Sequence, residues 1–165
     1  MKVIITKLSD SRHQLEIIRS DGTRDHRELV TRELLFHDLL HFSVESVGSQ
    51  PGGFYGRLAA GESLSVLDAN GVAAVNDPNS EIAIVERTVG MMTGVLKTPP
   101  PDEPKLAGID RTLEGSAMER PAWFDAAFVA AVREKMRQLQ GRWKSVPYGS
   151  AMELEFTAGE KRREA

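Results

Sequence analysis

The chain has 165 residues, 41% hydrophobic and 27% charged, the make-up of an ordinary globular domain with enough apolar material for a core, and a single domain over residues 1–165 is expected. A formal net charge of −3 gives no electrostatic footprint for a phosphate backbone, so nucleic-acid binding is not expected. With no cysteine, disulfides, thiolate nucleophiles and cysteine-bearing zinc modules are excluded, and any metal must be held by His, Asp or Glu.

At the N-terminus the apolar run Val3-Ile4-Ile5 is too short for a signal-peptide core, and no segment approaches the ~18 consecutive apolar residues of a membrane span. A cytoplasmic location away from membranes is therefore expected. KVIITKL and QLEIIRS, both rich in β-branched residues, flank a polar SDSRH and read as a hairpin. Asp21-Gly22 marks a second tight turn, with TRDHREL as a third, more polar strand at the edge.

Helices follow. Thr31 to Val47 is dense in Leu and Phe and free of Gly and Pro, and Gly48 stands where a C-cap glycine belongs. A short helix is expected through FYGRLAAG. A third begins after Asn76-Asp77-Pro78, a capping signal, and runs to about Lys97. From Thr98 to Arg120 the chain opens with TPPPDEP and shows no sustained periodicity, which predicts a long Pro-rich loop. The fourth helix starts at Pro121, carries Trp123, Phe124, Phe128, Val132, Met136 and Leu139 at helical spacing, and stops at Gly141. Finally, Tyr148 to Phe156 alternates Met152, Leu154 and Phe156 with Ala151, Glu153 and Glu155, as in a strand with one buried face. The expected fold is α+β: a small antiparallel sheet of the N-terminal hairpin strands plus the C-terminal strand, covered by three to four helices.

The first helix carries the stretch HDLLHFSVE, His37 to Glu45. Leu35, Phe36, Leu39, Leu40, Phe42, Val44 and Val47 take most of its circumference, leaving a narrow arc for Leu34, His37, Asp38, His41 and Glu45. Lys and Arg, the usual residues of a solvated stripe, are missing between Leu34 and Gly48. Histidines at i and i+4 point the same way from successive turns and can bind one divalent transition metal such as zinc. Asp38 and Glu45 are the acid/base candidates of the stripe. Glu45 lies ~12 Å along the axis from His37, too far to share an ion with it but well placed to pair with His41. A third ligand would come from another element, and Glu81, Glu86, Glu62 and His26 are all chemically suitable.

His37-Asp38-Leu39-Leu40-His41 resembles the zincin metalloprotease signature, in which two histidines bracket a glutamate and two other residues. The resemblance implies a hydrolase-like site with His37 and His41 as ligands and Asp38 as general base. It covers five residues and departs at Asp38, one methylene shorter than the glutamate of the signature.

Two other readings stand beside this one. The stripe also reads as a structural polar seam in which Asp38 and Glu45 satisfy His37 and His41. The third helix has one apolar ridge of Val85, Val89, Met92 and Leu96 and another of Ile84, Met91 and Val95, with Gly90 and Gly94 between. The second ridge needs a cover, from the first helix or from a second copy, so a self-associating homo-oligomeric module is the alternative to an enzyme. QPGGFYGRLAAGE matches neither GxGxxG nor a P-loop and reads as a turn with close helix packing, with Arg57 a nearby cation for an anionic substrate. Nothing in the sequence names the substrate.

Overall fold

The computed structural model describes residues 1–70, 77, 79–114 and 119–157. Alternation of β-branched and polar residues sets the sheet. β1 (Lys2–Lys7) pairs antiparallel with β2 (Arg12–Ile18), β2 with β3 (Arg24–Val30), and β1 with β4 (Ala151–Glu155), in the order β3-β2-β1-β4. The register places Val3 opposite Ile17 and Leu154, and Ile5 opposite Leu15 and Met152, so one face is a continuous buried apolar layer. This is the α+β architecture expected from the sequence, with the first and last strands adjacent in one sheet. At the β2–β3 turn Gly22 takes φ +83°, and the Asp21 carboxylate accepts hydrogen bonds from the Thr23 amide and hydroxyl.

A π turn over Thr31–Leu35 leads straight into α1 (Phe36–Gly48). Leu39, Leu40, Phe42 and Val44 are buried, and the helix packs against both α4 (Glu81–Leu96) and α6 (Ala126–Ser145). The left-handed position that ends α1 is Ser49 at φ 51°, not Gly48. Gly48 serves close packing instead: a Cβ there would lie 3.3 Å from the Phe128 ring of α6. The short helix α2 (Phe54–Ala59) forms as expected.

Elsewhere the boundaries differ from expectation. A further helix, α3 (Leu64–Asn70), follows Ser63, and the Asp25 carboxylate of β3 accepts from the Leu64 amide at its first turn. Ser80 caps α4 through its hydroxyl; of the expected capping residues, Asn76 and Pro78 lie outside the described residues. The predicted loop of 98–120 contains a helix, α5 (Glu103–Leu113), with a proline in its first turn. Leu106 is the single buried side chain of α5, so the helix has almost no apolar stripe to betray it. Residues 115–118 of that stretch lie outside the described residues. α6 starts after Asp125, whose side chain accepts from the Phe128 amide, and passes through Gly141 to Ser145. No helix among the described residues is long and apolar enough to cross a membrane.

On α4, Val85, Val89 and Met92 are buried, and so is Val95 of the second ridge. Ile84 and Met91 are half-buried, while Gly90 and Gly94 border open space, where an added Cβ would meet nothing within 4 Å.

Candidate metal centre

Because its apolar side chains are fixed in the core, α1 cannot rotate, and it presents His37 and His41 together toward α4. Their rings are 4.6 Å apart between centroids. From α4 comes Glu86, with Oε1 3.4 Å from His41 Nε2. One ligand atom from each of His37, His41 and Glu86 lies within 4.8 Å of the others, the one such cluster of three among the described residues. His41 is 3% exposed, whereas His37 and Glu86 reach solvent, so the cluster is rooted in the core and open on one side. Of the other third-ligand candidates, Glu62 is held by Arg57 through two bonds at 2.7 and 2.6 Å, and Glu81 and His26 are exposed outside the cluster.

The second nitrogen of His41 is also occupied. Nδ1 donates to Glu45 Oε1 at 3.2 Å, the partnership that the four-residue spacing predicts. Glu45 is completely buried, and its Oε2 accepts from the amides of Tyr55 (2.8 Å) and Gly56 (3.1 Å) in the first turn of α2. A carboxylate there complements the positive end of the helix. The approach requires glycine at position 53, where a Cβ would lie 2.5 Å from the Glu45 carboxyl carbon.

Burial alone would lower the His41 pKa, but hydrogen bonds and charge from Glu45 and Glu86 overcome it and raise the ring to about 9. His37 is pushed the other way, below the ordinary histidine range, by burial and then by the neighbouring His41 charge. Glu86 is penalised by burial yet drawn below the ordinary carboxylate range by His41. In Glu45 burial prevails, and its carboxyl lies above the ordinary range despite its three donors.

Asp38 does not join the cluster. It is 7% exposed, and its Oδ2 sits 3.7 Å from Nε2 of His13, which is itself buried with Nδ1 3.2 Å from the Thr31 hydroxyl. One residue on from His37 is a ~100° step around the helix, enough to turn Asp38 from the α4 side toward the sheet. The helical stripe gives no hint of His13 as a partner, although its alternation with Leu15 and Ile17 on β2 puts it on the buried face.

Comparison with protein-family models, curated proteins and solved structures found no match. The chemistry of the cluster must be judged from the donors. Two imidazoles and a carboxylate are a borderline-soft set suited to zinc and its divalent neighbours. Ligands on a tetrahedral ion with bonds of ~2.0–2.1 Å stand roughly 3.3 Å apart. The His41–Glu86 pair is already at 3.4 Å, and closing the cluster requires movement only of the exposed His37 ring.

Proposed function

We propose that His37, His41 and Glu86 bind one divalent transition metal, zinc in the first instance, and that the protein is a metal-dependent, hydrolase-like enzyme. The observation that carries this reading is the cluster itself, two rings from successive turns of α1 and a carboxylate from α4 with ligand atoms within 4.8 Å, open to solvent on one side. A metal held by three protein ligands retains a position for water or substrate and supplies Lewis acidity there. Glu45 is a positioning residue. By accepting from Nδ1 it fixes the His41 tautomer that leaves Nε2 for the ion, the carboxylate–histidine arrangement common around bound metals. Asp38, turned toward His13, is assigned no proton transfer in this reading.

Calorimetric titration of tag-free protein with zinc tests the proposal. One site per chain is expected, weakened at least tenfold by His37→Ala and by Glu86→Gln, neither of which removes core contacts. Zinc-dependent hydrolysis of activated esters or phosphoesters, lost in both variants, is expected alongside. Absence of zinc binding by the wild type, or binding indifferent to both substitutions, overturns it.

A second reading rests on His41 having a carboxylate oxygen at each nitrogen, 3.2 Å from Glu45 and 3.4 Å from Glu86. On that reading the cluster is a structural ion triad built on imidazolium. Zinc then leaves the melting temperature unchanged, and Glu86→Gln destabilises the protein.

A further inference from the structure

Beside the candidate metal centre, the N-terminal end of α1 meets the C-terminal end of α4 and the middle of α6 around a cleft of ≈ 360 Å³. That volume is in the range of small-molecule sites. Its walls are of two kinds. Phe36, Leu96 and Met136 are apolar, and Phe36 remains 38% exposed. Lys97, Arg133 and Arg137 are cationic, and none of the described residues lining the cleft is acidic.

The cations are only partly neutralised. Arg137 pairs with Glu134 at 2.6 Å, and Arg133 with Asp102 at 2.8 Å. Asp102 is shared with Lys105 at 3.4 Å, and Lys97 makes no ion pair with any described residue. The three cations of the cleft thus have two carboxylate partners, one of them shared with Lys105 outside the cleft, and the cleft keeps a positive surplus. The negative end of α4 would oppose an anion, but Arg133 already covers it by donating to the carbonyls of Val95 and Thr98. Arg133 Nε is buried and has no acceptor among the described residues.

We propose that this cleft binds a small amphipathic anion: an apolar body against Phe36, Leu96 and Met136, and a carboxylate or phosphate head against Lys97 and the Arg133 side. Binding does not depend on the metal reading. Phe36 immediately precedes His37, however, and the α4 end of the cleft lies about 10 Å, two helical turns, beyond Glu86. If the metal reading holds, the cleft is where the body of the substrate rests.

The test uses metal-free, full-length protein and four probes with the same eight-carbon chain: octanoate, octyl phosphate, octanol and octylamine. In titrations followed by calorimetry and by the methyl resonance of Met136, at least one anion is expected to bind ten or more times more tightly than octanol, with octylamine weakest. Octanoate alone marks a carboxylate site, and octyl phosphate alone a phosphate site. Lys97→Glu and Gln140→Glu change exposed residues at the rim, leave melting unmoved, and are each expected to weaken the anion at least tenfold. Octanol matching the anions reduces the cleft to an apolar patch and overturns the proposal. So does anion binding indifferent to Lys97→Glu, or no binding of any probe. Because zinc is left out, failure here and failure of zinc binding are separate results.

Discussion

Glu45 joins the candidate centre to the rest of the protein, since its two oxygens reach His41 on one side and the amides of Tyr55 and Gly56 on the other. Different substitutions therefore separate its two roles. Glu45→Gln keeps the size and an acceptor oxygen but removes the charge opposite His41, and it is expected to weaken zinc binding by roughly 10- to 100-fold, as changes next to a ligating histidine typically do. Glu45→Ala instead leaves two buried amides and the Nδ1 side of a buried imidazolium without a partner, which should cost about 3–5 kcal/mol in urea unfolding. If Glu45→Gln binds zinc as the wild type does while Glu45→Ala is destabilised, Glu45 is a cap of α2 and nothing more. The His41 half of this arrangement is legible in the sequence, because a four-residue spacing on a helix dictates it. The α2 half is not, since no local rule ties a glutamate to amides ten and eleven residues later.

Among the elements, the loop from Pro51 into α2 packs most tightly. A Cβ at Gly56 would stand 2.1 Å from the Pro51 carbonyl oxygen, and one at Gly53 would collide with Glu45. Gly56→Ala must displace backbone and is expected to destabilise the protein by more than about 2 kcal/mol. Gly90, mid-helix in α4 with open space around it, should behave oppositely. Gly90→Ala is expected to raise stability by roughly 0.5–1 kcal/mol through helix propensity alone, equally at low and high protein concentration. Stabilisation that turns into concentration-dependent loss would instead place a second copy of the chain on that face. The same physics explains which elements can be read in advance. α1 and the strands bury a regular face and so carry a regular pattern, whereas α3 is short and begins with a contact the sequence does not display, Asp25 accepting from the Leu64 amide across 39 residues, and α5 contributes one buried side chain. The apolar spacing of Trp123 and Phe124 extends the α6 pattern back to Pro121, but both rings pack in the aromatic cluster with Phe128 ahead of the helix proper.

For the whole molecule, burial of the His41 imidazolium between two carboxylates makes folding depend on pH in a direction that distinguishes the metal-free from the metal-loaded protein. The sheet and both histidines can be read from local patterns, but the third member of the cluster cannot, because the packing of α4 on α1 brings Glu86 to them rather than Glu81 or Glu62. That choice sets the electrostatics. A histidine raised from 6.5 to about 9 on folding stabilises the native state fully below its unfolded pKa, and this contribution disappears as pH climbs through the folded value. Glu45, also raised, works in the same direction at lower pH, and Glu86, lowered, contributes stability that is lost as pH falls through its folded value. Without metal, the urea midpoint is therefore expected to fall between pH 6.5 and 9, with the unfolding free energy dropping by up to roughly 3 kcal/mol for the His41 shift alone. Zinc at Nε2 would replace the proton there, so its affinity should grow over the same interval as the ring becomes easier to deprotonate. The midpoint of the zinc-loaded protein should accordingly stay level or rise where that of the metal-free protein falls. His41→Gln should flatten the metal-free profile and remove the zinc effect together. A wild-type midpoint that does not change from pH 6.5 to 9 would mean that His41 is not held as an imidazolium between Glu45 and Glu86, and the geometry on which both readings of the cluster depend would have to be abandoned.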